Sequence, residues 1–326
     1  MTSVVKVAVA GCGTVGAALL DLLERHGEAL RQRRGVRYQV TRVLVRDADR
    51  PRAVSVDRAL FTDRVDHFLE TPADIVVEAI GGTTAARAVA HGTLVRGRRL
   101  VTANKALLRI EGPALDALAR AHRAAGATLD FEAAVGGGVP VVRLLRESLA
   151  GHGLHRIRGV LNGTTNYILS RVEQGVPFAD ALAAAQRAGF AEADPTRDLD
   201  GTDAADKIAV LAWLGFGVDP AALRVRATGI DASLALEARA AARRGRAVRL
   251  VATAVRIGDG VHATVAPRVV PRGHPFAQVR DEQNLIQLES ESAGTLTVAG
   301  AGAGGSATAS AVLADILRHG ATNAAS

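Results

Sequence analysis

The 326-residue chain has very little of several residue types that define common protein classes. Its single cysteine, Cys12, excludes a disulfide framework. Aromatic residues make up only 3% of the chain, which leaves few stacking platforms for nucleic acid. No apolar run approaches the roughly 18 residues that are needed to span a bilayer, and the N-terminal segment has no export signal. We therefore expect a cytoplasmic protein that does not enter a membrane.

Lysine is scarce as well, because only three of the 40 basic residues are lysines: Lys6, Lys105 and Lys207. The net charge of +7 is compatible with nucleic-acid binding, but the arginines are scattered, which favours a solvated arginine-rich surface. Arginine supplies nearly every generic positive charge, so a retained lysine is a candidate for a role that needs a compact ammonium with an exchangeable proton, although three lysines can also be placed by chance. Lys6 lies in the first predicted strand, and the other two lie in motifs described below.

Strand and helix patterns alternate along the first part of the chain. An apolar run at Val4–Val9 leads into glycines and then into an apolar-periodic stretch, and further strands are predicted at Val40–Val45 and Ile75–Ala79. After Glu132 the pattern changes to a second mixture of helices and strands. The sequence therefore predicts an α/β protein with an N-terminal Rossmann-type, doubly wound parallel sheet and a second α/β domain.

Three glycines follow the first predicted strand in the spacing Gly11-x-Gly13-x-x-Gly16. The first glycine permits a tight turn, the second lets a pyrophosphate approach the backbone, and the third lets strand and helix pack closely. This position between a strand and a helix favours dinucleotide binding over a purely structural turn. The second strand ends in Arg46-Asp47, where an arginine accepts the 2′-phosphate of NADP and an acid binds the ribose of NAD. We expect NADP or NAD, with a preference for NADP because Arg46 comes first.

Lys105 ends the motif Val101–Lys105, which follows a strand at the carboxyl edge of the predicted sheet. Ligands of doubly wound folds bind at that edge, so a role in the site is favoured over a surface lysine. Lys207 ends an acidic segment that contains six carboxylates between residues 192 and 207. Asp203 lies four residues before Lys207, so both share one helix face, and the carboxylate can orient an ammonium that donates a proton. The alternatives are an exposed ion pair and a metal-binding loop, although the spacing matches no known loop pattern.

The run from Ala185 to Lys207 resembles the signature segment of homoserine dehydrogenase. The signature positions are filled by Ala185, Gly189, Phe190, Ala191, Asp194, Pro195, Asp198, Leu199, Gly201, Asp203 and Lys207. Other segments are similar to the same family, and together they extend over essentially the whole chain in order. They are residues 78–82, 101–105, 131–140, 161–168 and 300–305.

The resemblance implies the reversible reduction of L-aspartate 4-semialdehyde to L-homoserine by a nicotinamide cofactor, a step of threonine and methionine biosynthesis. It implies that Lys207, Lys105 and Asp203 are catalytic, and that Glu192, Asp198, Asp203 and Lys105 bind the substrate. The cofactor contacts that we expect are Gly11, Gly13, Thr14, Val15, Gly16, Arg46, Lys105, Gly189, Gly302 and Gly304.

The family also carries a monovalent cation, usually sodium, whose ligands correspond to Glu132, Val135, Gly137 and Val139. The alternative at these residues is a glycine-rich hinge without an ion. The resemblance further implies a homodimer. It divides the chain into a dinucleotide-binding domain, residues 1–133 completed by 298–326, and a substrate-binding, catalytic and dimerisation domain, residues 134–297. We expect no counterpart of the C-terminal regulatory module that many members carry, and no threonine inhibition through it.

Three other functions are compatible with parts of the sequence. A paralogue acting on another small amino aldehyde would keep the same motifs. A cofactor sensor without catalysis would tolerate the loss of Lys105, Lys207, Asp203 and Glu192, yet all four are present. A basic nucleic-acid binder would show strongly salt-dependent DNA binding. We expect a small-molecule substrate and no nucleic-acid partner.

Overall fold

The computed structural model describes residues 2–318, and the chain divides into two units. The first comprises Met1–Ala134 and Gly304–Ser326, and the second Val135–Ala303. Residues 319–326, which the sequence assigned to the dinucleotide-binding domain, lie outside the described residues. Within residues 2–318, none of the helices has the length and apolar character that crossing a membrane requires.

The first unit is built on a six-stranded parallel sheet with the strand order β3-β2-β1-β4-β5-β6. This order places the topological switch point between β1 and β4, where ligands of such folds bind. The structure confirms the predicted Rossmann-type sheet. Its strands and the helices that alternate with them are β1 (Ser3–Ala10), α1 (Thr14–Arg34), β2 (Val36–Leu44), β3 (Phe61–Thr62), α2 (Val65–Glu70), β4 (Ile75–Glu78), α3 (Thr84–Leu94), β5 (Arg99–Thr102), α4 (Lys105–Ala121) and β6 (Thr128–Asp130).

The last four residues of β1, Val7–Ala10, form an unbroken apolar run, and all four are fully buried. Such a run is typical of a parallel sheet that helices cover on both faces. The following helix, α1, ends where Gly35 adopts a left-handed conformation (φ 66°), and Arg31, Arg33 and Arg34 occupy its last turn. A glycine at this position and cations near a helix C-terminus both stabilise the helix end.

The second unit contains a six-stranded sheet with the order β12-β11-β7-β9-β10-β8. Its pairs are antiparallel except for β8 with β10. The structure thereby confirms a second α/β region. Its helices and strands are α5 (Val141–Arg143), β7 (Leu154–Val160), α6 (Gly163–Glu173), α7 (Phe178–Arg187), α8 (Thr196–Leu199), α9 (Thr202–Phe216), β8 (Val225–Ala227), α10 (Leu234–Arg243), β9 (Arg246–Ile257), β10 (Gly260–Pro271), α11 (Pro275–Gln278), β11 (Gln283–Ser290) and β12 (Gly294–Ala301).

The chain then returns to the first unit as α12 (Gly305–Arg318), which packs against α1. Two polar contacts attach it to the end of β6. The Asp315 carboxylate accepts a hydrogen bond from the Glu132 amide (2.8 Å), and the Arg318 guanidinium donates to Asp130 (2.8 Å). The predicted boundary at residue 298 falls inside β12, because that strand pairs with β11 as far as Ala301.

Candidate active site

The glycine turn between β1 and α1 uses its three glycines in different ways. A Cβ atom on Gly11 (φ 102°) would lie 2.6 Å from the Ala79 carbonyl carbon, and one on Gly16 would lie 2.9 Å from the Gly11 carbonyl carbon. Both distances are too short for a real Cβ, so packing requires these two glycines. A Cβ on Gly13 would meet nothing within 4 Å. This open space lies at the N-terminus of α1, which has no acidic residue in its first turn, and therefore fits a pyrophosphate.

The N-termini of α1 and α12 lie side by side. A Cβ on Gly305 would be 3.0 Å from both Cγ2 and the carbonyl oxygen of Thr14. Gly304 precedes that helix with a φ of 104°, and its carbonyl accepts the first hydrogen bond of the helix from Thr308 (3.0 Å). Two of the predicted cofactor contacts, Thr14 and Gly304, are thus brought close together, although they are 290 residues apart in sequence. Two positive helix ends at one place favour an anionic ligand.

Just beyond β2, Arg46 is exposed, so its guanidinium is accessible to a ligand. The neighbouring Asp47 carboxylate is engaged locally, because it accepts hydrogen bonds from the amides of Asp49 (2.9 Å) and Arg50 (3.2 Å). The loop that follows lines a cavity of about 210 Å³ together with Phe61. Three arginines are among its lining residues: Arg50, Arg52 and Arg58.

A buried carboxylate, Glu78, lies at the end of β4 beside the switch point of the sheet. The side chain is fully buried and accepts hydrogen bonds from the Thr102 hydroxyl (2.6 Å), the Ile80 amide (2.9 Å) and the Asn104 side-chain amide (3.4 Å). Burial raises the pKa of Glu78, and these hydrogen bonds oppose the rise. The carboxylate therefore connects the ends of β4 and β5.

Lys105, the first residue of α4, is half-buried directly after this connection. Asn104 caps the helix, because its side-chain oxygen accepts a hydrogen bond from the Leu107 amide (3.1 Å). Its side-chain nitrogen donates to the Gly82 carbonyl (2.7 Å). The predicted site lysine thus lies at the carboxyl edge of the sheet, as expected.

In the second unit, Lys207 and Asp203 form a buried ion pair one turn apart on α9. The ammonium is 2.7 Å from the Asp203 carboxylate and donates a hydrogen bond to the Leu161 carbonyl (2.8 Å). Their side chains are only 12% and 10% exposed, which distinguishes the pair from a solvated surface ion pair. Asp203 lies in the first turn of α9, where the helix dipole stabilises a negative charge.

Asn162 joins this pair to a second carboxylate. Its side-chain amide donates to Asp203 (2.9 Å) and to Asp198 (2.7 Å), while its side-chain oxygen caps α6 by accepting from the Thr165 amide (2.8 Å). Burial raises the pKa of Asp198; the hydrogen bond from Asn162 opposes this rise, and the charge of Asp203 adds to it. A cluster with two carboxylates and one ammonium can bind the ammonium of a substrate and still hold a proton donor.

Packing around the Leu161 carbonyl involves a further buried amide, Asn284. Its nitrogen donates to the same carbonyl that accepts from Lys207 (3.4 Å). The amide also lies directly against Gly302, where a Cβ atom would be 2.5 Å from the Asn284 nitrogen. Gly302 is therefore required by this close approach, and the structure gives it a packing role in addition to its expected role with the cofactor.

The other predicted site residues have the following positions. Glu192 is exposed after α7, and its backbone carbonyl accepts a hydrogen bond from the Gln186 side-chain amide (3.3 Å). Gly189 has a left-handed conformation (φ 76°) just after the same helix. Of the expected cation ligands, Glu132 belongs to the first unit, and Val135, Gly137 and Val139 begin the second.

The glycine-rich segment has a packing explanation of its own. A Cβ on Gly137 would be 2.6 Å from the Gly302 carbonyl carbon, and the Val139 carbonyl already accepts from the Val141 amide (2.8 Å). Within residues 2–318, no group of three or more His, Cys, Asp or Glu side chains is suited to a metal. A cation here would therefore depend on backbone carbonyls.

Several buried polar residues in the groups around Glu78 and Lys207 were not assigned a role from the sequence; among them are Glu78, Asn104, Asn162 and Asn284. The first three lie in segments that resemble the family, at the ends of strands or in helix caps. A polar residue at the carboxyl end of a predicted buried strand is a signal that could have found Glu78 and Asn162. No sequence pattern marks Asn284, because its partners come from other parts of the chain.

A Rossmann sheet with an open glycine turn and a buried lysine–carboxylate cluster define a nicotinamide-dependent oxidoreductase. Family models agree with this class along nearly the whole chain. Residues 11–132 match "Homoserine dehydrogenase, NAD binding domain", and residues 140–317 match "Homoserine dehydrogenase". The chain belongs to the homoserine dehydrogenase family.

Individual relatives agree with the family models. The homoserine dehydrogenase of Corynebacterium glutamicum is 40% identical over 321 residues, which cover 97% of this chain and 72% of the relative. A solved homoserine dehydrogenase from Thiobacillus denitrificans has a TM-score of 0.87 at 36% identity, covering 97% of this chain and 74% of that one. A hyperthermophilic archaeal homoserine dehydrogenase in complex with NADPH has a TM-score of 0.78 at 26% identity, covering 97% of both chains.

Proposed function

We propose that this chain reduces L-aspartate 4-semialdehyde to L-homoserine with NADPH and that Lys207 supplies the proton. The observation that carries the proposal is the buried position of Lys207 between the Asp203 carboxylate and the Leu161 carbonyl. These two acceptors use two of the three ammonium N–H bonds in the described structure, which leaves the third for the substrate oxygen.

The reaction adds two atoms to the aldehyde. When bound, the nicotinamide would supply the hydride for the carbonyl carbon. The Lys207 ammonium gives a proton to the carbonyl oxygen as that oxygen gains charge. In the reverse direction, neutral Lys207 takes the proton from the hydroxyl of homoserine. Asp203 favours the charged lysine and orients it, and Lys105 is proposed to hold substrate and cofactor at the sheet edge.

The substrate carries an ammonium and a carboxylate in addition to the aldehyde. Asp198 and Asp203, whose oxygens are held by Asn162, are the proposed partners of its ammonium. Glu192 is proposed as a further substrate ligand. Its exposed position after α7 leaves it accessible to a ligand.

For the cofactor, the open space above Gly13 and the adjacent helix N-termini support binding of a pyrophosphate. The preference for NADPH rests on Arg46 and on the neighbouring cavity with its three arginines. In addition, Asp47, the residue that would favour NAD, already accepts hydrogen bonds from two backbone amides.

Further proposals follow from membership of the family. They are a role in threonine and methionine biosynthesis, a homodimer, a cytoplasmic location and a sodium ion held by Glu132, Val135, Gly137 and Val139. Sedimentation measures the assembly. Replacing Na⁺ by a large organic cation in the assay tests the ion. Activity that is unchanged by this replacement would contradict a bound sodium ion.

The decisive experiment follows NADPH and NADH oxidation by absorbance with a panel of amino aldehydes. We expect aspartate semialdehyde to have the highest kcat/KM and NADPH to be the better cofactor. A higher kcat/KM for another amino aldehyde would contradict the substrate assignment. No oxidation of either cofactor with any aldehyde would contradict the reaction itself.

A further inference from the structure

We infer that Glu78 is a positioning residue that fixes the turn before α4, and through it Lys105, at the edge of the parallel sheet. The inference rests on the proposed function, because it gives Lys105 its role there. It adds a residue that does not touch the reacting atoms but determines where one of the reacting groups lies.

The first argument is the position of the carboxylate in the sheet. Glu78 is the last residue of β4 and pairs with Ala10 on one side and Thr102 on the other. The next amide in the chain, Ala79, donates to the Ala10 carbonyl (2.7 Å), and the Ala79 carbonyl lies against Gly11. The residue is therefore centred between the glycine turn and the strand that leads to Lys105.

The second argument is the set of groups that the carboxylate holds. Its donors are a hydroxyl on β5, a backbone amide of the turn after β4 and the side-chain amide of Asn104. Asn104 also bonds the Gly82 carbonyl and caps α4. The Glu78 side chain thus connects the turn after β4 with the turn before α4. Because these two turns are distant in sequence, local sequence alone does not bring them together.

The third argument concerns why a carboxylate is present at a fully buried position. Burying an ionised carboxylate is costly unless its oxygens are satisfied, and here they accept from several donors at once. A glutamine of the same shape would place its own amide N–H groups against some of these donors. The position therefore selects an acceptor-only side chain, and its loss should loosen the cap that precedes Lys105.

A double-mutant cycle separates positioning from general support of the fold. Glu78→Gln should lower kcat/KM for aspartate semialdehyde by about 10- to 100-fold, as expected for hydrogen bonds to a charged group. In a Lys105→Ala background, measured at high enzyme concentration in single turnovers, the same change should cost less than about threefold, because the residue through which it acts is gone.

Two companion variants keep the test decisive. Glu111→Gln alters another buried carboxylate, on α4 itself, that bonds Arg87 and His91, and it should leave kcat within about twofold. If Glu78→Gln does not fold, Thr102→Val removes one donor with little change in shape, and the same cycle is measured with it. Equal losses with and without Lys105 would overturn the inference. A wild-type chain that does not turn over would instead contradict the proposed function.

Discussion

The two polar clusters both contain buried carboxylates at strand ends and helix starts, but they hold them with different partners. In the first unit, Glu78 accepts from a hydroxyl, a backbone amide and a side-chain amide. In the second, Asp203 accepts from the Lys207 ammonium and shares the amide of Asn162 with Asp198. The first arrangement fixes backbone turns, whereas the second holds an ammonium beside two carboxylates, the groups to which the proposed function gives the substrate.

This difference indicates a division of labour. Groups in the first unit are expected to control the affinity for the cofactor and the position of Lys105. Groups in the second unit are expected to control proton transfer and the recognition of the substrate. Variants that change one property and leave the other intact can test this division.

The largest effect is expected for Lys207→Ala, which removes the proton donor. Loss of a positioned acid typically lowers turnover by about 100- to 10,000-fold, while the NADPH affinity, measured by fluorescence, should stay within about twofold. Lys207→Arg should also fail, because a guanidinium does not give up its proton readily. Arg197→Ala, which breaks an exposed ion pair with Asp206 in the same region, is the control and should keep normal turnover. Near-normal activity of Lys207→Arg would contradict the proton-donor role.

Arg46→Ala tests the first unit, which is expected to control the affinity for the cofactor. Losing a charged hydrogen bond to the 2′-phosphate costs roughly 1.5–3 kcal/mol, so the Kd of NADPH should rise about 10- to 150-fold, with little change for NADH. Arg37→Ala, an exposed arginine at the other end of β2, is the matched control. Equal weakening of both cofactors would remove Arg46 from the phosphate site.

The pH dependence of the reaction should report the second cluster. Because burial raises the pKa of Asp198 above its ordinary value, this carboxyl becomes protonated on acidification before an ordinary aspartate does. We expect kcat/KM for the substrate to fall as this carboxyl becomes protonated, which gives the pH profile an acid limb. Asp198→Asn should have a low kcat/KM at every pH and should lack this acid limb. NADPH affinity measured across the same range provides the comparison and should not follow the limb. An unchanged limb in Asp198→Asn would assign it to another group.

The smallest effect is expected for Gly302, which supports the cluster of the second unit through its packing against Asn284. Gly302→Ala places a methyl group against the Asn284 amide and should destabilise the chain by about 1–3 kcal/mol in urea unfolding. Adding Asn284→Ala makes room for the methyl group and should recover part of the loss. Gly151→Ala, where a Cβ meets nothing within 4 Å, should change stability by less than about 0.5 kcal/mol. If the double variant is no more stable than Gly302→Ala, the clash is not the cause.

Much of the fold was predictable because the signals are local. The apolar run of β1, the glycine spacing and the pattern of alternating elements led to the parallel sheet, which the structure confirms. The strands β11 and β12 were not predicted. Polar residues such as Asn284 and Gln287 interrupt the first. The second does alternate between exposed and partly buried residues, but it is short in large apolar side chains and rich in glycine and alanine, which weakens the strand signal.

The sequence by itself determined the glycine turn, the family and the pairing of Asp203 with Lys207, since a helix brings residues four apart onto one face whatever surrounds it. Only the tertiary structure decided that Asn162 holds both Asp198 and Asp203 and that Glu78 holds Thr102. These partners are separated by 24 to 41 residues along the chain. Which of them meet depends on how strand ends and helix caps pack, and backbone periodicity carries no information about that packing.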